Sequence, residues 1–255
     1  MELRILGCHG GETPHHKTSS FLLDGRVALD AGAVTSMLTL EDQQRIEAVL
    51  VSHAHLDHIK DLATLADNRC QQGGPTITVV GVPQTIAILK QHFFNDLIWP
   101  DFSRIETAVG PTIRFETLTP EAPSDIAGMR VRAIMVNHTI DTSAFLVETP
   151  SGSIAYSGDT GPTDRLWEVL DQQDDLKALL MEVSFPDEHH QLAKISGHHT
   201  PETLGADLAK LDSKRGLPIL LYHIKPVFEQ PVEKQLTRLH SQDIEICRLG
   251  DQYIL

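Results

Sequence analysis

The sequence predicts an α/β (α+β) fold in which two β-sheets pack face to face and helices cover both outer sides. Two observations carry that expectation. Strand-like and helix-like segments alternate along the whole chain, with no linker, low-complexity tract or internal repeat between them, and such alternation suits a layered architecture. The segments also fall into two β-rich blocks, each accompanied by helices, so two sheets with helices outside both would satisfy the order. A chain of 255 residues can fill one large domain, and residues 1–255 are expected to form a single one.

The first block opens with strands at residues 3–6, 20–23 and 26–30, the last two joined by Asp24-Gly25, a dipeptide suited to a tight hairpin. Residues 47–51 read as a buried strand, and a helix is expected from His58 to about Arg69. A strand at 76–81 follows, then a helix opening at Pro83, where the missing N–H leaves no hydrogen bond unmade. Residues 93–102 show neither period and read as a packed loop or a lid. The second block comprises residues 113–119, 129–136, 143–148 and 153–156. After it come a helix from Thr163, a strand at 179–183, a helix from Pro201, a strand at 219–221, a helix across 232–240 and a last strand at 244–247.

The formal net charge is −14, which argues against gripping nucleic acid or an anionic membrane surface. No apolar run approaches the length of a membrane span, and no charged, then apolar, leader precedes the first strand. Cys8, Cys70 and Cys247 are far apart and form no Cys-x-x-Cys pair, so they read as free thiols of a reducing compartment. The cytoplasm is the expected location, and a small molecule the expected partner.

The chemistry is concentrated in Ser52-His53-Ala54-His55-Leu56-Asp57-His58, which directly follows the apolar run ending at Val51. Imidazoles and carboxylates together are first-row metal ligands, and a strand end can aim several at one point. Four other strand-like runs also end in a ligand-type residue: Asp30, His138, Asp159 and His223. His53 and His55 alternate on one face and can reach one metal. Asp57 and His58 come after the turn and would face a second. His138 can complete the first site and His223 the second, and Asp159, with two oxygens, could bridge them. A position left open for water would make the site catalytic. Taken singly, a His such as His138 or His223 is more often an ordinary surface or core residue than a ligand. Asp30 could equally be a turn residue ahead of Gly32. His9, His15, His16, His189, His190 and His199 have no firm role and read mostly as solvated loop residues; His15 and His16 stay unassigned.

In order, His53-x-His55-x-Asp57-His58, His138, Asp159 and His223 resemble the metal motifs of the metallo-β-lactamase superfamily. Asp30 resembles that superfamily's early strand-end Asp, which supports the metal loop. The resemblance spans essentially the whole chain. It implies a four-layer αββα sandwich with two divalent cations between the sheets, Zn²⁺ first, with Mn²⁺ or Fe²⁺ as alternatives. Relatives that reduce oxygen or nitric oxide carry Glu where His55 stands, and the classical β-lactamases carry Cys where Asp159 stands. The pattern here therefore resembles hydrolases of phosphodiesters, lactones and thioesters.

Two further segments point to phosphodiesters. Met181-Glu182-Val183-Ser184-Phe185 ends a strand with a carboxylate, and Gly197-His198-His199-Thr200-Pro201-Glu202 leads into a helix with Thr200 as N-cap. Together they resemble elements shared by the tRNA 3′-end endonucleases and the class II cyclic-nucleotide phosphodiesterases. The second family is the closer match, through Leu6-Gly7-Cys8-His9-Gly10-Gly11, the His53–His58 cluster, Phe94-Asn95-Asp96-Leu97-Ile98-Trp99-Pro100 and Gly197-His198-His199-Thr200-Pro201. No long Gly/Lys-rich insertion for holding tRNA is visible. One departure stands beside the cluster: Lys60-Asp61 follows His58-Ile59, with Asp61 where Gly or Ser is usual.

The resemblance implies hydrolysis of 3′,5′-cyclic nucleotides (cAMP or cGMP) to 5′-nucleotides by a metal-bridging hydroxide. Glu182 would orient His198, His198 would protonate the leaving 3′-oxygen, and Asp57 would accept a hydrogen bond from the nucleophile while ligating metal. A purine needs a stacking partner, for which Phe94, Trp99 and Phe102 are candidates. The competing reading makes them a packed segment closing the sandwich edge. Rival functions are an RNA 3′-end endonuclease, a lactonase or thioesterase on the same scaffold, or a non-catalytic metal-binding protein. A homodimer is compatible with the resemblance, although no interface motif is visible.

Overall fold

The computed structural model describes residues 1–211, 216–239 and 243–255. The first sheet takes its strands from the start of the chain: β1 (Glu2–Gly7), β2 (Ser20–Leu23), β3 (Val27–Leu29), β4 (Ala48–Leu50) and β5 (Ile77–Gly81). A two-stranded ribbon, β6 (Glu106–Thr107) and β7 (Gly110–Pro111), precedes β8 (Ile113–Thr117). The second sheet follows with β9 (Ser124–Ile126), β10 (Met129–Val136), β11 (Thr142–Thr149), β12 (Gly152–Tyr156), β13 (Leu176–Glu182), β14 (Ile219–Tyr222) and β15 (Ile244–Ile246). The last strand, β16 (Gln252–Ile254), returns to the edge of the first sheet, beside β1.

The first sheet runs β16-β1-β2-β3-β4-β5-β8 and the second β15-β14-β13-β12-β11-β10-β9. Each is antiparallel at one end and parallel at the other: β3, β4, β5 and β8 pair parallel, as do β12, β13, β14 and β15. Parallel neighbours need a crossover, and helices supply it. On the first sheet these are α1 (Val34–Met37), α2 (Leu40–Gln43), α3 (Leu56–Gln71) and α4 (Pro83–Ile88). On the second they are α5 (Arg165–Asp171), α6 (His190–Ser196), α7 (Pro201–Leu208) and α8 (Glu229–Leu236).

Strand alternation sorts the core into three layers. Phe21, Leu23, Ala48 and Leu50 point between the sheets and meet Phe145, Ile154, Tyr156, Leu180 and Tyr222. Their neighbours Leu22, Ala28, Val49 and Val79 point outward onto Ile59, Leu62 and Leu65 of α3. On the far side Ala155, Leu179, Met181 and Leu221 pack under Leu166, Trp167 and Leu170 of α5 and Val232 of α8. The arrangement is the expected αββα sandwich.

Several elements differ from the sequence reading. Residues 113–119 were expected in the second block, but β8 completes the first sheet, with Ile113 opposite Ile77. The intervening α4 makes the crossover that a parallel pair needs, and strand pattern alone carries no information on partner. The hairpin at Asp24-Gly25 forms, with φ of 46° and 68° at those residues, the left-handed pair that a tight two-residue turn requires. Helix α3 begins at Leu56 rather than His58, with His55 at its N-cap, so Asp57 and His58 lie in its first turn. The last expected helix ends at Leu236 and continues as a tighter turn through Leu239, while His240 lies outside the described residues. Strand β16 and helix α6 had no clear periodic signal.

Residues 93–102 form a packed loop. A wider helical turn, Leu89–Phe93, carries α4 into it, and Asn95 Oδ1 accepts hydrogen bonds from the Leu97 and Ile98 amides at 3.0 and 2.8 Å. Asp61, the departure noted in the sequence, is buried, and its Oδ2 accepts from Thr35 N at 2.8 Å and Thr35 Oγ1 at 2.9 Å. It satisfies amides at the start of α1 that would otherwise be orphaned.

Candidate metal centre

The carboxyl-terminal ends of β3, β4, β12 and β14 meet at one rim of the sandwich, where open α/β sheets commonly present ligand groups. They deliver Asp30, the His53–His58 turn, Asp159 and His223, and β10 contributes His138 at the same rim. Asp30 and His223 hold left-handed φ angles of 55° and 71°. That conformation is uncommon for non-glycine residues and clusters at functional sites.

The side chains converge on two neighbouring points. At the first, Nε2 of His53 lies 2.9 Å from Nδ1 of His55, and Nε2 of His138 lies 3.2 Å from that same atom. At the second, Nε2 of His223 lies 3.4 Å, and Nε2 of His58 3.9 Å, from Asp57 Oδ2. Asp159 Oδ2 stands between the two, 3.2 Å from His223 Nε2, 3.3 Å from His58 Nε2 and 3.8 Å from His53 Nε2. All seven residues expected as ligands are thus brought together.

A surrounding set of hydrogen bonds fixes which nitrogen of each ring faces inward. Asp30 Oδ2 accepts from His58 Nδ1 at 2.6 Å, from Tyr156 Oη at 2.6 Å and from Ser52 Oγ at 2.7 Å, while Oδ1 accepts from the Ser52 amide at 2.7 Å. His53 Nδ1 donates to Ser52 Oγ at 3.0 Å. His138 Nδ1 donates to the Gly197 carbonyl at 2.8 Å, and His223 Nδ1 to Ser184 Oγ at 2.8 Å. Each of these four rings therefore directs Nε2 at the centre, the nitrogen that metal ligation would use.

The chemistry of the centre suits cations. His58 Nε2, His223 Nε2 and Asp159 Oδ1 are buried without any hydrogen-bond partner, an arrangement costly to leave uncompensated. Burial, then the neighbouring His58 charge, holds His53 well below its ordinary pKa, and burial also lowers His55, His138 and His223. Burial opposes the Asp159 charge, but His223 and His58 outweigh it and keep the carboxyl well below the usual range. Neutral imidazoles beside ionised carboxylates are the ligand-ready state. His58 is the exception. Burial works against its charge, yet Asp159 and Asp30 raise it well above its ordinary value, so a cation would displace its proton. The donor set, nitrogen and oxygen only, fits divalent first-row cations.

Glu182 and His198 form a second unit beside it. Glu182 Oε1 lies 3.0 Å from His198 Nδ1 and accepts from the amides of Thr160 and His199, both at 3.2 Å. Ser184 Oγ donates to Oε2 at 3.0 Å. Ser184 thereby links Glu182 to His223, a connection that no motif announces, although Ser184 sits two residues past Glu182. Burial, then the Asp159 charge, pushes Glu182 up to about 7, and burial depresses His198 to about 4. The His198 ring stacks on His223, centroids 5.2 Å apart, and approaches His138 at 5.0 Å.

The aromatic residues expected to stack on a base are elsewhere. Phe94 and Phe102 are buried in the outer core of the first sheet, and Trp99 packs against the same cluster with Nε1 donating to Ala63 O at 3.0 Å. The faces of Phe94 and Phe102 are consumed by packing and Trp99 is half-buried against them, which suits the competing reading of this segment as a packed edge. His9 and His199 are buried rather than solvated. His9, His16 and Glu229 form a separate cluster, with His16 Nε2 3.4 Å from Glu229 Oε2, while His15 is exposed. No helix among the described residues is long and apolar enough to cross a membrane.

A family model described as "cAMP phosphodiesterases class-II" matches residues 31–245. The chain is 29% identical over 233 residues to a probable 3′,5′-cyclic-nucleotide phosphodiesterase of Yersinia pestis, an alignment covering 81% of this chain and 66% of that protein. Among solved structures, unliganded yeast PDE1 superposes with a TM-score of 0.84 at 21% identity, covering 100% of this chain and 99% of that one. YhfI of Bacillus subtilis, a metallo-beta-lactamase fold protein, superposes with a TM-score of 0.77 at 19% identity and 99% coverage of each chain. These structures share the fold with the present chain.

Proposed function

The chain belongs to the class-II cAMP phosphodiesterases, and on that premise we propose that it hydrolyses 3′,5′-cyclic nucleotides to 5′-nucleotides at the rim just described. The observation that carries the reading is the pairing of two ligand clusters with a buried Glu182–His198 unit against them. In this reading His53, His55 and His138 would hold one divalent cation and Asp57, His58 and His223 a second, with Asp159 available to both. Zn²⁺ is the first choice, and Mn²⁺ or Fe²⁺ would accept the same donors. When bound, such cations supply Lewis acidity to phosphoryl oxygens and lower the pKa of water. Residues 1–255 act as one unit here, because the two sheets each supply part of the donor set.

The protein's own groups do the positioning and the proton handling. The Asp30 carboxylate holds His58, the Ser52 hydroxyl holds His53, and Ser184 ties His223 to Glu182, so the ring orientations are set before substrate arrives. Asp57, in the first turn of α3, is placed to accept a hydrogen bond from the attacking water. His198 Nε2 faces the same space and delivers a proton to the departing 3′-oxygen. Burial depresses its pKa to about 4, and Glu182 Oε1, 3.0 Å from Nδ1, would stabilise the imidazolium formed when Nε2 takes a proton from solvent beside the substrate's negative charge. The substrate is a small anion, in keeping with the chain's net charge of −14, which repels a polyanion.

The test is product analysis of metal-quantified protein with 3′,5′-cAMP and, in parallel, bis-p-nitrophenyl phosphate. Conversion of cAMP to 5′-AMP with about two metals per chain is the expected result. Cleavage of the synthetic diester alone would reject the cyclic-nucleotide assignment, and inertness toward both with metals present would reject the reaction class.

A further inference from the structure

With Phe94 and Phe102 taken up by packing and Trp99 half-buried against them, the nucleoside needs another seat. A cavity of about 290 Å³ has His198 as one wall. Asn137, Pro162, Ala193, Lys194 and Thr203 form much of the rest. Its size is near the lower bound of small-molecule sites, roughly 300 Å³.

Resting on the phosphodiesterase reading, we propose that this cavity receives the sugar and base of the cyclic nucleotide. Connectivity of the substrate is the first argument. Both ester oxygens of a 3′,5′-cyclic phosphate belong to one ribose, so a 3′-oxygen within reach of His198 brings that ribose against the His198 wall. The chemistry of the walls is the second. Exposed Pro162 offers apolar surface to a base. Asn137 Nδ2 is committed to the Pro162 carbonyl at 3.2 Å, which leaves Oδ1 as a free acceptor. The Lys194 ammonium makes no ion pair among the described residues, in a chain with 35 acidic residues to 21 basic ones. One acceptor and one donor at the mouth of an apolar cleft suit the hydroxyls and edge of a nucleoside.

The cavity is also rigidly coupled to the reacting groups. Helix α6 carries Ala193 and Lys194 and ends at Gly197, whose φ of 67° turns the chain sharply. The Gly197 carbonyl fixes His138, and the Ala193 carbonyl accepts from the His198 amide at 2.9 Å. The α6 segment thus supplies one wall of the pocket, orients one ligand and holds the proton donor.

The experiment compares kcat/KM for 3′,5′-cAMP and for bis-p-nitrophenyl phosphate, which has no nucleoside, in metal-quantified wild type and Lys194→Trp, at an exposed lining position. The indole obstructs the cleft, so the cAMP value should fall roughly tenfold or more relative to the synthetic diester, the size expected of a steric misfit. Equal falls for both substrates, or none for either, would overturn the proposal. Wild-type protein supplies the second arm, independent of how the variant folds. Adenosine alone should inhibit bis-p-nitrophenyl phosphate cleavage competitively, and Lys194→Ala should weaken that inhibition. Absence of inhibition by adenosine would overturn the pocket. Failure of the cyclic-nucleotide reading looks different: the synthetic diester is cleaved while cAMP is not, whatever adenosine does.

Discussion

His58 Nδ1 lies 2.6 Å from Asp30 Oδ2, and both side chains are fully buried. Asp30 also holds Ser52 and Tyr156, so a single carboxylate fixes the loop that carries four of the donors. Asp30→Asn keeps the left-handed backbone that Asn tolerates but removes the charge. Metal affinity should fall on the order of 10- to 100-fold, as for other outer partners of ligating histidines. Competition with a calibrated chelator measures it, and an unchanged affinity would refute this role for Asp30.

Asp159→Ala removes the oxygen shared by both clusters and should lose metal and diesterase activity together. Metal analysis after gel filtration, alongside turnover, decides the matter. A variant that keeps about two metals and wild-type turnover would show that the donor set is wrong.

His198→Ala should behave differently. It leaves all seven donors in place, so metal content should persist while kcat falls on the order of 10²–10⁴, the usual worth of a general acid. Glu182→Gln keeps the shape of the partner without its charge and should lower kcat with little change in KM. Wild-type turnover by His198→Ala would remove the proposed acid.

Thiol labelling tests the burial pattern. Burial pushes Cys8 up to about 12 and raises Cys247 well above its ordinary value, so neither supplies thiolate at pH 8. Cys70 is half-buried at the end of α3. Iodoacetamide at pH 8 should therefore modify native protein at Cys70, and Cys8 and Cys247 should react only after denaturation. Rapid native labelling of Cys8 would contradict the packing of the β1 end.

Asp61→Ala should cost about 0.5–2 kcal/mol, the usual loss for a capping carboxylate, because the Thr35 amide and hydroxyl lose their acceptor. Urea denaturation reads this as a lower midpoint at unchanged slope.

Much of the centre was legible because its donors sit at strand ends, where an apolar run stops abruptly at a histidine or aspartate. His53, His138, Asp159 and His223 all carry that mark. The supports were less legible. Ser52, Ser184 and Tyr156 are ordinary residue types whose roles arise only when distant strands are juxtaposed. Placement of residues 113–117 in the first sheet was hidden for the same reason, since alternation reports a strand's faces and not its neighbour. The aromatic segment misled because rings that suit a base also suit a core, and Phe94 and Phe102 went to the core.

The donors divide between the two sheets, His53, His55, Asp57 and His58 on one side and His138, Asp159 and His223 on the other. Neither half of the chain can therefore chelate at full strength by itself. During synthesis the N-terminal half emerges with four donors and no counterpart, and the last donor, His223, appears only when most of the polypeptide has been made. Capture of a cation by this donor set would then be a late event that reports successful closure. A fragment stopped before β10, with only four of the seven candidate ligands, should hold a divalent cation far more weakly than the full chain.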